Sequence, residues 1–269
     1  MLLYIEANQE YLLSLITEKY TYEKYKRTTV EGERRYATPS GALPSVTTIL
    51  DKMKSAEKRQ ALANWKKRVG AETAQRITTE SANIGTIIHA MIEAYILGQD
   101  YSAGSNLIFQ RAFPLAETVI KEGLSNVDQY WGTEVPLYYP GLYAGTTDCV
   151  GMWKGEPAII DFKTTKKPKK REWIDDYFLQ GSAYAMAHNE VYGTDINRTV
   201  IMMIVWDGAE AGRYQEFVVE GDEFDKYSTD WAAKVEAYYD KYGKSRGEKR
   251  ETPTVHKDVD TYLTKVFED

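Results

Sequence analysis

Three ionisable residues near the middle of the chain could hold a divalent cation beside a phosphate group. Residues 145–165 have the pattern of two β-strands joined by a tight Gly-Glu-Pro turn. These strands carry the carboxylates of Asp148 and Asp161 and the ammonium of Lys163. Side chains alternate between the faces of a strand, so Asp161 and Lys163 point the same way and Phe162 points to the other face. Antiparallel pairing around the turn brings Asp148 alongside Asp161, which predicts a pocket for metal, water and phosphate.

The composition indicates a globular protein of one large domain or two small ones. Hydrophobic residues make up 43% of the 269 residues, and no apolar run approaches the ~18–20 residues of a membrane span. The N-terminus resembles neither a secretory signal nor a transit peptide, so we expect a cytoplasmic protein without a membrane association. The one cysteine, Cys149, excludes an internal disulfide and a cysteine-built zinc or iron–sulfur site, and we expect it in the core.

Basic residues are concentrated in two places on a chain whose net charge is −6. One cluster directly follows Asp161, and the other lies earlier in the chain. The members are Lys163, Lys166, Lys167, Lys169, Lys170 and Arg171 in the first cluster, and Lys66, Lys67 and Arg68 in the second. Local basic clusters on an acidic body suit a groove for a phosphate chain. A solvated lysine-rich loop explains the charge equally well.

The elements that must position these residues follow from hydrophobic periodicity. Alternation predicts a hairpin over 20–39 and strands over 131–139, 145–153, 158–164, 199–206 and 213–219, the last at an edge. Helical spacing predicts a helix that begins near 46, capped by Ser45 or Thr47, and helices over 54–75, 83–97, 106–123, 172–188 and 223–242. This order implies an α/β fold with a mixed central sheet and helices on both faces. We expect residues 244–269 to be loosely ordered, with a short helix at 260–267.

Two further helices carry polar residues that could reach the same pocket. His89 lies on a helix with an apolar stripe, and Glu93 is one turn further on the same face. A lone histidine on such a helix is more often a packed core or surface residue than a metal ligand. Gln180 and Tyr184 share one face of a later helix, where a polar edge to a packed helix is the simplest interpretation. Glu134, in the preceding strand, could face a metal or be an exposed strand carboxylate.

The order of these residues resembles the RecB-type branch of the PD-(D/E)XK nucleases. The motifs are GxxxH at 85–89, GxxD at 145–148, DxK at 161–163 and QxxxY at 180–184. Four degenerate motifs in the expected order are far more specific than any one of them. A closer resemblance, over about 43–242, includes LPSVTTIL, NWKKRV and DFKTTKKPK. It is to the mitochondrial genome maintenance exonuclease family and its bacteriophage relatives.

The resemblance implies a PD-(D/E)XK (restriction-endonuclease-like) core with an N-terminal elaboration. Residues 1–82 would form a hairpin and a helical arch, 83–243 the nuclease core and 244–269 a charged tail, in one compact unit. Residues 54–76 are the segment that could arch over a strand, with 81–83 allowing movement. The implied activity is a metal-dependent DNA exonuclease acting on single strands or frayed ends and leaving 5′-phosphates. A bacterial or phage-infected cytoplasm suits the absence of a transit peptide.

The family resemblance also implies residue roles. Mg²⁺ or Mn²⁺, without an iron–sulfur cluster, would be held by Asp148, Asp161, His89 and the carbonyl of Phe162. Lys163 would orient or help to deprotonate the attacking water, and Gln180 and Tyr184 would position DNA or buttress the site. The catalytic candidates are therefore Asp148, Asp161, Lys163, Gln180 and Tyr184.

The expected partner is single-stranded DNA, with replication or recombination proteins as further candidates and a monomer as the expected state. Four aromatic residues could stack on unpaired bases, although burial in the core is the commoner role: Trp65, Tyr95, Trp173 and Tyr177. Three other functions remain open. They are a flap- or junction-cutting endonuclease on the same core, a catalytically silent DNA-binding module, and a metabolic α/β enzyme with a chance DxK.

Overall fold

A small antiparallel sheet lies near the N-terminal end of the chain. The structure, a computed structural model, describes residues 14–17, 19–30, 32–206 and 208–243. The sheet contains β1 (Lys26–Val30), β2 (Glu33–Thr38) and β3 (Gly41–Pro44). β1 and β2 pair antiparallel, which confirms the predicted hairpin, and β3 pairs with the other side of β2. β3 was not predicted, because four residues ending in proline give little strand signal.

Four helices follow this sheet. They are α1 (Val46–Lys52), α2 (Ala56–Val69), α3 (Ala71–Ile96) and α4 (Leu107–Glu122). Ser45 caps α1 by accepting a hydrogen bond from the backbone N–H of Thr48, as the sequence predicts. Helix α2 has no buried residue, so its apolar side chains at helical spacing face no core.

The predicted break between helices at residues 76–82 is wrong. Helix α3 runs through it without interruption, and the chain breaks instead at Gly70, where φ is +84°. Residues 76–83 include several weak helix formers, which favoured a break. Buried residues on both sides of this stretch, such as Ala74 and Ile84, keep it helical. The predicted division at 82/83 falls inside α3, and the division of the chain into parts stays a prediction.

The centre of the fold is a five-stranded mixed sheet. Its strands are β4 (Val127–Tyr139), β5 (Tyr143–Trp153), β6 (Glu156–Thr165), β7 (Arg198–Val205) and β8 (Arg213–Glu220). Their spatial order is their chain order, with β6 and β7 parallel and the other neighbours antiparallel. β7 is buried along almost its whole length and β8 forms an edge, as predicted.

Helices cover both faces of this sheet, which confirms the predicted α/β architecture. α5 (Asp175–Tyr192) and α6 (Asp222–Tyr238) join α1 in one apolar core, and α3 and α4 form the other. Cys149 is fully buried in the second core, as expected. In the described part of the chain, none of the helices has the length and apolar character needed to cross a membrane. The helix predicted at 260–267 lies outside the described residues.

Candidate active site

The two central strands β5 and β6 separate where their acidic residues lie. The ladder of paired residues ends at Cys149 and Ile160, and Asp148 and Asp161 are the next residues along each strand. At this point the backbone N–H of Phe162 donates a hydrogen bond to Asp148 Oδ2 at 2.7 Å. A carboxylate therefore accepts a main-chain N–H at the point where the ladder ends, and this holds Asp148 against β6.

Asp161 and Lys163 form an ion pair on one face of β6. The ring of Phe162 packs into the core on the other face, so the predicted alternation is confirmed. Burial raises the pKa of Asp161 to about 6, although the charge of Lys163 opposes this. Burial also lowers the pKa of Lys163, but Asp161 and Asp148 outweigh it, so that this pKa lies above its usual value. Lys163 Nζ is 5.0 Å from the ring centroid of Tyr177.

Helix α3 brings His89 to the same carboxylate. His89 Nδ1 lies 3.4 Å from Asp148 Oδ1. Burial lowers the pKa of His89, but the hydrogen bond and charge of Asp148 outweigh it and raise the pKa above its usual value. Burial raises the pKa of Asp148, and His89 with Lys163 reverses the shift, so that this pKa lies below its usual value. His89, the one histidine of α3, is thus a member of the polar cluster.

Glu134 joins this cluster through an irregularity of β4. Thr133 and Val135 pair with Cys149 and Thr147, which leaves Glu134 opposite Asp148 without a partner in the ladder. Its φ of +46° is rare for a residue other than glycine, and strained backbone of this kind occurs often at functional sites. Glu134 is exposed, but partial desolvation of its carboxylate, together with the charge of Asp148, raises its pKa.

Three of these residues could bind a metal together. One ligand atom from each of His89, Glu134 and Asp148 lies within 4.8 Å of the other two. An imidazole and two carboxylates form a donor set that suits Mn²⁺ and Mg²⁺. The carboxylate of Asp161, also predicted as a ligand, forms an ion pair with Lys163. The ligand roles of Asp161 and of the Phe162 carbonyl stay predictions.

Gln180 and Tyr184 lie together beneath β5. Gln180 Nε2 donates a hydrogen bond to the hydroxyl of Tyr184 at 3.3 Å. Tyr184 is only 3% exposed, and a Cβ atom at Gly145 would lie 2.6 Å from its Cε1 atom. The glycine of the GxxD motif therefore makes room for this ring. Of the two roles predicted for Tyr184, the structure favours supporting the site over contacting DNA.

The predicted DNA-binding lysines differ in their surroundings. Lys66, Lys67, Lys167 and Lys170 are exposed, and Lys169 is half-buried. Lys166 Nζ pairs with Glu80 at 2.6 Å and lies 4.5 Å from the ring centroid of Trp206.

Arg171, also predicted to bind DNA, has partners within the protein. Its guanidinium forms an ion pair with Glu223 and donates to the carbonyl of Val218 at 2.6 Å. Both partners are distant in sequence, so the pattern of basic residues could not reveal them. Arg171 thus attaches residues 166–171, here called the basic loop, to β8 and α6.

The four aromatic candidates for base stacking differ in their exposure and in their contacts. Trp173 is 60% exposed, and Tyr177 lies beside Lys163. Tyr95 makes an edge contact with Tyr101, with 6.3 Å between ring centroids, and Trp65 is half-buried on α2. The first two therefore remain the stronger candidates.

Known proteins that resemble the chain are exonucleases by name. It is 28% identical over 209 residues to mitochondrial genome maintenance exonuclease 1 of Mus musculus, which is 74% of the chain and 60% of the mouse protein. The human protein is 26% identical over 211 residues, 74% of the chain and 59% of its own length. The Xenopus tropicalis protein is 27% identical over 186 residues, 64% of the chain and 51% of its own length. The resemblance that the motifs indicate is thus confirmed, and the chain spans 51–60% of the length of these relatives.

A solved structure resembles the chain only distantly. A crystal structure assigned as an exonuclease, from Eubacterium rectale, is 13% identical with a TM-score of 0.42, covering 60% of this chain and 65% of that chain. No model of a known protein family matches the sequence.

Proposed function

We propose that the chain is a metal-dependent DNA exonuclease that hydrolyses phosphodiester bonds in single-stranded DNA or frayed ends and leaves 5′-phosphates. The observation that carries the proposal is the convergence of His89, Glu134 and Asp148 within 4.8 Å, with the Asp161–Lys163 pair on the adjoining strand. The names of the similar proteins support nuclease activity.

The metal would be held by His89, Glu134 and Asp148. When bound there, Mg²⁺ or Mn²⁺ would supply Lewis acidity toward a phosphate oxygen and a water molecule of lowered pKa. The backbone N–H of Phe162 holds Asp148 Oδ2, so the carboxylate is oriented before any ligand arrives.

The residues of the chain supply the remaining interactions with the phosphate. Lys163 Nζ is a cation that can donate hydrogen bonds to a phosphate oxygen and offset the charge that develops on it. Asp161 holds that ammonium in place through their ion pair. Gln180 and Tyr184 support β5 from below and so fix the position of Asp148.

The aromatic residues Trp173 and Tyr177 support a preference for single strands. Trp173 is 60% exposed and precedes Tyr177, whose ring lies beside Lys163 Nζ. Unpaired bases gain about 1–3 kcal/mol by stacking on such rings, whereas bases in a duplex are already stacked. The exposed residues Lys66, Lys67, Lys167 and Lys170 would contact the phosphates of the strand.

Three substrates test the proposal with Mn²⁺ present. Linear single strands are labelled at the 5′ end in one tube and at the 3′ end in another, and we expect both labels to be released. The label that first appears as a mononucleotide shows the polarity of digestion. A circular single strand of the same sequence should persist, because an exonuclease needs an end. Cutting of the circle would indicate the endonuclease alternative, and intact linear strands would contradict nuclease activity altogether.

A further inference from the structure

The N-terminal sheet is joined directly to the candidate active site. The hydroxyl of Tyr36 on β2 lies 3.4 Å from Thr146 Oγ1 on β5. Thr146 is two residues before Asp148 and therefore lies on the same face of β5. Tyr36 is 5% exposed and packs with Leu43 and Ala144, so that the position of β2 relative to Asp148 is set by buried contacts.

The pairing of β1 with β2 places two arginines on the face that carries Tyr36. Arg27 is paired with Tyr36, and Thr29 with Arg34. Residues directly opposite one another share a face, and so do residues two apart on one strand. Arg27, Thr29 and Arg34 therefore lie on the Tyr36 face, and all three are exposed.

These two guanidinium groups have no acidic partner in the described part of the chain. Neither Arg27 nor Arg34 forms an ion pair there, and the side chains of both are exposed. The acidic residue of β2, Glu33, is turned to the opposite face, where it pairs with Lys52 at 2.8 Å. Lys166 and Arg171, in contrast, are held by Glu80 and Glu223. The hairpin thus presents positive charge on a chain whose net charge is −6.

We propose that the surface formed by Arg27, Thr29 and Arg34, here called the hairpin face, binds the phosphates of a single DNA strand next to the catalytic pocket. Guanidinium groups bind phosphate through paired hydrogen bonds, and a threonine hydroxyl is a further donor. The hairpin face is attached to β5, whereas the basic loop follows β6. The proposal rests on the proposed function, because the bound strand is the one whose end reaches Lys163.

The hairpin offers a matched control on the same strand. Lys26 is also exposed, but it is paired with Ala37 and therefore lies on the opposite face from Arg27. Replacing Lys26 or Arg27 with Glu makes the same change of charge at neighbouring positions. A general effect of net charge would act on both variants, whereas contact with a strand would act on Arg27 alone.

The experiment is binding of a fluorescein-labelled single strand to the full chain, followed by anisotropy in EDTA at several salt concentrations. We expect the double variant R27E/R34E to bind at least about tenfold more weakly near 150 mM salt. Its log Kd should depend less steeply on log salt, by about 0.7 for each phosphate that the variant no longer neutralises. The neutral variant R27Q/R34Q should show the same change of slope. The single variant R27E should also bind more weakly than the parent chain, whereas K26E, with the same change of charge, should stay within about twofold of it.

Each outcome separates this proposal from the proposed function. Equal affinity and equal salt dependence in R27E/R34E and the parent chain would overturn the hairpin face, while cleavage by the parent chain would still stand. An equal loss of affinity in K26E would overturn the hairpin face as well. Absence of binding by the parent chain would also overturn it. Binding that depends on Arg27 and Arg34 without any cleavage would support the hairpin face and contradict the exonuclease. Circular dichroism checks that each variant is folded.

Discussion

Tyr184 occupies the space that a side chain at position 145 would need. A Cβ atom on Gly145 would lie 2.6 Å from Tyr184 Cε1 and 2.8 Å from its hydroxyl. The glycine of the GxxD motif and the tyrosine of the QxxxY motif are therefore one packing unit, which fixes β5 three residues before Asp148. The two motifs are therefore linked by direct packing as well as by their order in the chain.

Replacing Gly145 with Ala should destabilise the fold by about 1–3 kcal/mol, because the new methyl group collides with a buried ring. The measurement is the free energy of unfolding in urea. Tyr184→Ala removes the ring and should cost about 3–5 kcal/mol by itself. The double variant should lose clearly less unfolding free energy than the two single variants together, since the collision is then absent. Additive losses would contradict the packing unit.

Replacing Lys163 or Asp161 with Ala should abolish Mg²⁺-dependent degradation of a linear single strand. The first change removes the cation beside the phosphate, and the second removes the carboxylate that holds it. The measurement is release of nucleotides over time, with circular dichroism and DNA binding as controls for the fold. Lys154→Ala, on the turn between β5 and β6, is the matched control and should retain activity. Undiminished degradation by either site variant would rule out this site.

Glu134→Gln should weaken Mn²⁺ binding by at least about tenfold, because even residues that merely support metal ligands cost 10–100-fold when they are replaced. The amide keeps the size of the side chain and removes its charge. The measurement is the electron paramagnetic resonance signal of free Mn²⁺ during titration, which requires no DNA. Glu156→Gln, at the exposed first residue of β6, is the control. An unchanged Mn²⁺ affinity in Glu134→Gln would exclude it as a ligand.

Local patterns in the sequence predict the parts of the site that local geometry controls. Strand alternation suffices to put Asp161 and Lys163 on one face, and a turn between two strands suffices to bring Asp148 to β6. Helical spacing likewise places Gln180 beside Tyr184, and the hydrogen bond between them agrees with it. The central sheet could be predicted for the same reason, since each strand carries its own alternation or apolar run.

Other features depend on irregular backbone or on contacts between distant segments, which local patterns do not decide. Glu134 enters the cluster through a positive φ in β4, whereas strand alternation assumes regular backbone. In the sequence Arg171 is one of several neighbouring basic residues. Its partner Glu223 lies 52 positions further along the chain, so the local pattern does not reveal the ion pair. The continuity of α3 is decided by burial of residues such as Ile84, and propensity alone favours a break.

Trp173→Ala should weaken binding of single-stranded DNA by about 5- to 150-fold, which corresponds to the ~1–3 kcal/mol of one stacked base. Trp173 is 60% exposed, so that its removal leaves no cavity in the core. Trp173→Phe keeps an aromatic face and should recover most of the affinity. The measurement is anisotropy with a labelled single strand in EDTA. Equal affinity in the Ala variant and the parent chain would remove Trp173 from the DNA-binding surface.

His188 should make the fold sensitive to acid. Its ring is buried between Tyr22, whose hydroxyl is 2.9 Å from Nε2, and Thr194, whose Oγ1 is 2.7 Å from Nδ1. Burial, with a smaller contribution from Lys19, lowers its pKa from 6.5 to about 4. Between these values the unfolded chain binds a proton that the folded chain excludes. The contribution of His188 to the free energy of unfolding is therefore complete above pH 6.5. It decreases as the pH falls toward 4, by about 3 kcal/mol in total.

The variant His188→Gln isolates this contribution from that of the other ionisable groups. Urea unfolding of both chains at several pH values between 7.5 and 4.5 gives the difference in unfolding free energy. The variant should be less stable at pH 7.5, because it loses ring contacts with Tyr20 and Tyr192. The gap should narrow as the pH falls, since glutamine has no proton to gain. A gap that stays constant over this range would mean that the folded chain admits the proton on His188 as readily as the unfolded chain does.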